Sequence, residues 1–368
     1  MEEIYTIIIY ISLFAIMYTL CKQAVQSKNW LWGVAAVAVY SIIFGMRYNV
    51  GVDYPGYLIS YERASIGVEV YNEWEQGFMF LINILSSYNL HFCIFFGIIA
   101  FLQLFPIFKG TKKDIYIYPF LCFTFMIGCS WLNFSNGLRQ VLSFGFFVLS
   151  ISYVEKRQLI KHYICILLAI SMHSSAIILL ILYPLLCWKE NWFKNTMFQI
   201  ILFVIAVICG ELDILAKNIA YFDTLFSFEF IADSDYSFYA QADNELHKEV
   251  SKGLGFVIIL ATDILLIITS NMYKNNLKSK MLTYLYNMYY IGALLKFSLI
   301  QSHIIQRLNL YFYGLQFIVA AYALYYFYKE REKIPLYFLT SFFALTFLAT
   351  MLSMHNNTAV FRFFWDVL

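Results

Sequence analysis

Apolar side chains run through this sequence in long stretches, and most of the charge sits in the short connections between them. A helix that crosses the hydrocarbon of a bilayer needs roughly 20 mostly apolar residues. Windows of that kind lie near 4–22, 30–46, 91–109, 115–133, 137–154, 196–212, 253–272, 281–300, 305–328 and 334–352. The pattern predicts about ten full crossings. Two further apolar stretches, 74–90 and 162–187, fit poorly as simple crossings.

Lysine and arginine in short loops favour the cytoplasmic side of a membrane. The basic connections are Lys22/Lys28, Lys109/Lys112/Lys113, Lys156/Arg157/Lys161, Lys189/Lys194, Lys274/Lys278/Lys280 and Lys329/Arg331/Lys333. All six can share one side only if 74–90 is a partial helix in the outer leaflet and 162–187 is a broken re-entrant hairpin. Met-His-Ser-Ser at 172–175 is then its tip. Non-helical backbone at membrane depth is tolerated where it lines a polar cavity, which makes that tip a candidate for function. The simpler alternative is two full crossings with weak charge bias. The hairpin topology puts both termini outside, with the external loops 47–73 and 213–252. The second loop carries eight carboxylates against Lys217, Lys248 and Lys252. Its aromatic residues, among them Tyr221, Phe222, Phe226, Phe228, Tyr236 and Tyr239, suit stacking on sugar rings or lying at the membrane interface.

Composition strengthens this picture. The chain is 61% apolar and 13% charged, with a mean hydropathy of +0.68, against about 45–50% apolar for ordinary soluble domains. We therefore expect a single all-α domain over 1–368, a polytopic integral membrane protein. The net charge of +2 and the lack of a basic tail exclude nucleic acid as an expected partner. The seven cysteines lie singly in or beside apolar runs and read as small core residues. The acidic start, Met1-Glu2-Glu3, and the missing cleavage site make the first apolar run a spanning helix and not a secretory signal.

Ionisable groups at membrane depth or edge are costly, so each is a site candidate with snorkelling or pairing as the plain alternative. Arg47, Arg139, Arg307 and Arg362 fall on the expected outer side, where the charge rule gives them no reason to be. Arg139, in Asn133-Phe-Ser-Asn136-Gly-Leu-Arg139-Gln140, is expected at the outer N-terminus of one helix, and Arg307, in Gln306-Arg307-Leu-Asn309, at that of another. Free N–H groups, the positive dipole end and a guanidinium fork together suit a phosphate or pyrophosphate. Arg47 leads into a turn-rich segment with Gly51, Asp53, Pro55 and Gly56, where Asp53 is either a base for a sugar hydroxyl or a partner for Arg47. Glu73 and Glu75 read as carboxylates favoured at a helix start. His173 and His303 are candidate proton carriers, a lone histidine among apolar residues being more often a satisfied core group. No G-x-S-x-G, P-loop, GxGxxG or H-E-x-x-H pattern occurs.

Five motifs in order, Arg47-Tyr-Asn-Val-Gly51-Val-Asp53-Tyr54-x-x-Tyr57, Glu75-Gln-Gly77-Phe78, Asn136-Gly-Leu-Arg139-Gln140, His173-Ser-Ser-Ala176 with Pro184 beyond it, and Arg307-Leu-Asn-Leu-Tyr311-Phe312, make the chain resemble the EpsG family of Wzy-type polysaccharide polymerases. Val52 stands where threonine is common in that family. The resemblance implies a GT-C-like membrane glycosyltransferase, an oligosaccharide repeat unit polymerase that joins undecaprenyl-pyrophosphate-linked repeat units into O-antigen, capsule or exopolysaccharide. It would act on the outer face of the bacterial inner membrane, without cofactor or metal, beside flippase and chain-length regulator proteins. Arg139 and Arg307 would hold the pyrophosphate, and Asp53 or His303 would activate the acceptor. Arg47, Tyr54, Asn136, Gln140, His173, Gln306 and Arg362 would line the substrate. O-antigen ligases share the general architecture, and a flippase or other transporter would also show many crossings, although the internal repeats common in transporters are not seen. A membrane acyltransferase would need a nucleophile or histidine–carboxylate motif, which is also not seen.

Overall fold

The computed structural model describes residues 2–68, 74–212, 253–300, 303–353 and 359–366, with the backbone alone for 2 and 303–305. The acidic loop 213–252 therefore lies outside the described residues, as do 69–73 of the stretch expected as the first external loop. Among the described residues the chain is all helical, apart from an isolated bridge between Arg47 and Phe363. In order the helices are α1 (Glu2–Ser27), α2 (Leu31–Gly45), α3 (Tyr54–Ser65), α4 (Gln76–Ser87), α5 (Phe92–Gly110), α6 (Tyr118–Met126), α7 (Trp131–Asn136), α8 (Leu138–Glu155) and α9 (Leu159–Met172). A 3-10 stretch, Ser174–Ile181, then leads to α10 (Leu182–Trp188) and α11 (Thr196–Glu211). Beyond the acidic loop come α12 (Leu254–Ile268), α13 (Ser270–Leu277), α14 (Lys280–Ser298), α15 (His303–Leu308), α16 (Leu310–Tyr313), α17 (Gln316–Lys329) and α18 (Lys333–Leu352).

Four of the described helical segments are long and apolar enough to cross a bilayer alone: α1, α5, residues 306–329 and α18. A fifth appears if α12 and α13, bent by 49° at their junction, count as one. The sequence windows behind the expected ten crossings run through breaks that hydropathy does not register. The window 115–133 is interrupted at Cys129, whose φ is +55°, whereas 305–328 keeps αR backbone through its irregular turns at Asn309 and Gly314. Helices α2, α5 and α8 pack side by side. A Cβ on Gly45 would lie 2.6 Å from the Cys93 carbonyl oxygen, so α2 meets α5 at the backbone, as small residues permit in membrane bundles.

The chain runs back and forth between two ends. Helix α8 begins beside Arg139 and ends at Glu155, which pairs with Lys113 at 2.7 Å. At that same end Lys112 sits over the Trp30 ring, Arg157 donates to the Cys187 carbonyl, and Glu190 takes Lys280 at 2.6 Å. Asn271 reaches the Lys194 carbonyl, and Asn276 the Tyr326 hydroxyl shortly before Lys329. All six basic connections thus gather at one end of the bundle, and the arginines singled out above lie toward the other.

Both irregular stretches have identifiable shapes. Helix α4 has 12 residues, about 18 Å at 1.5 Å per residue, too short to cross. The 162–187 segment is a hairpin: Tyr163 reaches the Leu180 carbonyl and packs near Tyr183, while the chain reverses at His173 in extended conformation. The stretch 47–73, expected as an external loop, is less loop-like than that, because 54–65 form α3. Pro55 in the first turn suits a helix start, and Tyr54, Tyr57, Leu58 and Tyr61 fall on one buried face.

Candidate functional site

The site is built where the starts of α3, α4 and α8 meet the tip of the hairpin. Gly137, with non-helical ψ of 65°, separates α7 from α8 and places Arg139 in the first turn of α8. Glu75 is the residue just before α4, and its Oε2 accepts from Arg139 at 2.7 Å. Its Oε1 accepts from the Ser174 N–H at 2.8 Å and lies 3.4 Å from His173 Nδ1. Arg139 also donates to the Tyr57 hydroxyl and stacks over Trp74 at 5.2 Å. The guanidinium is thereby fixed on three sides. Its Nε is buried and has no hydrogen-bond partner among the described residues, an arrangement that costs free energy until an acceptor arrives.

Helix α4 can come this close to the hairpin because residue 77 is glycine. A Cβ there would stand 2.5 Å from Ser171 Oγ and 2.6 Å from its carbonyl oxygen. From His173 a polar chain continues inward: Ser175 Oγ is 3.1 Å from His173 Nδ1 and 3.1 Å from the Tyr311 hydroxyl, which donates to Ser143 Oγ at 3.1 Å. The hairpin tip is therefore tied to α4, α8 and α16 at once.

Arg307 is exposed at the end of α15, its carbonyl accepting from Gln140 Nε2 at 2.6 Å. Asp53, the residue before α3, feels both Arg307 and Arg139. Burial pushes its carboxyl above the ordinary range, and the two arginines pull it back part of the way. Glu75 is the opposite case. Burial raises it, but Arg139, His173 and the Ser174 N–H outweigh that and leave its pKa lowered.

Among the expected site residues, the structure thus brings Asp53, Arg139, Arg307 and His173 into one electrostatic neighbourhood, with Gln140 behind Arg307. Asn136 supports it from below: its Oδ1 accepts from the Val52 N–H at 2.7 Å. This holds the turn at Gly51, whose φ of +110° a side-chain-bearing residue rarely adopts.

Three expectations are corrected. Arg47 does not join the anion-binding arginines and does not pair with Asp53. It is 1% exposed, and its guanidinium donates to the carbonyls of Phe44, Val50 and Ser135 while lying over the rings of Phe44, Tyr54 and Phe96. The Phe44 and Ser135 carbonyls, in the last turns of α2 and α7, need donors, and the arginine supplies them. Tyr54 is buried, stacked on Phe96, with its hydroxyl on the Arg47 carbonyl. Gln306 turns away to the Lys296 and Leu299 carbonyls, satisfying the end of α14. Arg307 stands, as expected, at the start of the 306–329 segment, whose helix is irregular at Asn309 and Gly314.

Arg362 lies in the C-terminal strap, its carbonyl accepting from the Tyr48 N–H at 2.8 Å. The side chain of His303 lies outside the described residues. Sequence reasoning missed Glu75 and Tyr57 as site residues, although both stand in motifs quoted above. Comparison with curated proteins returns no match, and comparison with solved structures returns none either. The family model of EpsG, a family of Wzy-like polysaccharide polymerases, matches residues 30–365, nearly the whole chain, and the chain belongs to the EpsG family.

Proposed function

We propose that the chain polymerises lipid-linked oligosaccharide repeat units into surface polysaccharide, by glycosyl transfer on the outer face of the bacterial cell membrane. The observation that carries this reading is the held guanidinium of Arg139, with its buried unpartnered Nε, in the same field as exposed Arg307 and Asp53. In the reaction the bond between the anomeric carbon of one chain and its pyrophosphate oxygen breaks, and an acceptor sugar hydroxyl forms the new glycosidic bond. The leaving pyrophosphate, on an undecaprenyl carrier, takes the electron pair, and Arg139 and Arg307 stabilise its charge where it develops. Asp53 takes the acceptor proton, which a general base must reach within hydrogen-bond distance; His303 is the other candidate for that role. Glu75 holds Arg139, with His173 against its other carboxylate oxygen, and neither reacts.

The test is Arg139→Ala and Arg307→Ala in cells, with surface glycan length read on a gel. Each variant is expected to leave single repeat units attached to their acceptor. Unchanged long chains would overturn the assignment. Loss of single-unit attachment as well would favour a ligase or a flippase.

A further inference from the structure

Outside the site, one carboxylate is wholly enclosed in the helix bundle. Asp263, on α12, is 0% exposed. Its Oδ1 accepts from the Tyr289 hydroxyl and from Gln316 Nε2, both at 2.6 Å, and its Oδ2 from the Tyr313 hydroxyl at 2.7 Å. Tyr313 and Gln316 flank Gly314, the second break in the 303–329 segment. A buried ionisable group in an apolar bundle is costly and calls for a reason. Here two of its three donors stand on either side of one break in one helix, and the third, Tyr289, comes from α14.

We propose that Asp263 is a positioning residue for Arg307. It grips the broken helix through Tyr313 and Gln316 and so fixes where α15 and α16 stand. The same segment is held from α14 by Asn309 Nδ2 on the Gly292 carbonyl at 2.9 Å. It is held from α8 by Gln140 on the Arg307 carbonyl. Asp263 completes the set from α12, the third helix packed around the break. The grip works through hydrogen bonds and not through net charge, because its three donors are neutral. An asparagine can keep all three contacts with one bond reversed: its oxygen keeps Tyr289 and Gln316, and its amide donates to the Tyr313 oxygen, which already accepts from Gln316 at 3.0 Å. The inference rests on the proposed function only for its effect on activity, since the place of residue 307 can be measured directly.

The experiment places spin labels on genetically encoded p-acetylphenylalanine at positions 307 and 52 of the full chain in nanodiscs, leaving the native cysteines alone. Distances are measured with Asp263 intact and in Asp263→Ala, Asp263→Asn and Tyr313→Phe. A narrow distribution is expected with Asp263 and with Asp263→Asn, a clearly broadened or shifted one with Asp263→Ala, and a smaller change with Tyr313→Phe. Tyr313→Phe removes one hydroxyl without opening a cavity, so it decides the question if Asp263→Ala fails to fold. An unchanged distribution in both Asp263→Ala and Tyr313→Phe overturns the proposal, and so does an Asp263→Asn variant that behaves like Asp263→Ala. Unlabelled Asp263→Ala is expected to cut chain extension about 100-fold, the scale of loss that a ~1 Å misplacement brings. Displacement of residue 307 with unchanged glycan length would leave the positioning claim standing and overturn the role given to Arg307 in the reaction.

Discussion

A single carboxylate decides how Arg139 is presented. Glu75 read from sequence as a charge favoured at a helix start, which it is, but it also joins α8 to the hairpin tip. Its folded pKa is lowered, so the stability it contributes is fully present above the ordinary glutamate value of about 4.3 and is lost as pH falls through the lower folded value. Glu75→Gln should therefore be less stable than the parent by about 1–3 kcal/mol at neutral pH, the cost of leaving buried donors poorly matched. Thermal unfolding in detergent between pH 3.5 and 7 should show that gap closing on the acid side, and a gap that widens there would refute the assignment. Asp53 runs the other way, held up by burial and drawn down by the arginines. As a base it must be ionised, so activity should fall on the acid side. Arg307→Gln removes one of the cations that lower it, which moves the acid limb of the residual activity to higher pH. The rate itself should drop about 10²–10³-fold, as for loss of a donor that stabilises developing charge. Initial rates against pH in reconstituted vesicles would check both, and an acid limb displaced downward would be incompatible with this role for Asp53.

At the scale of elements, the site depends on α4 standing against α9. Gly77→Ala must push a methyl into the Ser171 carbonyl, a backbone atom that cannot rotate away, and overpacking of this kind typically costs about 1–3 kcal/mol. Glu75 moves with its helix, so chain extension should drop well beyond what the stability loss explains. Gly56→Ala, where an added Cβ meets nothing within 4 Å, should leave glycan length unchanged. Equal effects from the two substitutions would show that α4–α9 contact is not what matters. The same contrast marks what sequence could reveal. The start of α8 after Asn136-Gly137 and the reversal at His173 were legible, because a break in an apolar run leaves a local trace. The helix 54–65 was hidden by Pro55 and Gly56, which read as turn residues although proline is at home in a first helical turn. The fate of Arg47 was not legible at all. Its acceptors include Ser135, 88 positions away, and only the folded chain sets that carbonyl beside it. Likewise nothing local says that Gly77 faces Ser171.

For the molecule as a whole, the proposed reaction requires that the basic end meet the cytoplasm. The charge rule assigns the six basic connections to the cytoplasm one by one, and the fold gathers those same connections at one end, so the assignments are not independent guesses but one statement about one surface. Inverting the protein would carry all of them across the bilayer together. It would also set Arg139, Arg307 and Asp53 on the side where no external polysaccharide is assembled. Single cysteines in intact cells test this directly with a membrane-impermeant thiol reagent. Val52 and Tyr88, each 71% exposed, flank the arginine end. Lys113 and Lys280, with side chains 54% and 53% exposed, mark the basic end. Val52→Cys and Tyr88→Cys should react in intact cells, and Lys113→Cys and Lys280→Cys only after permeabilisation, each against the background of the native cysteines. The reverse pattern would place the guanidinium site in the cytoplasm, and the proposed polymerisation on the outer face would fall even if every distance within the site were correct.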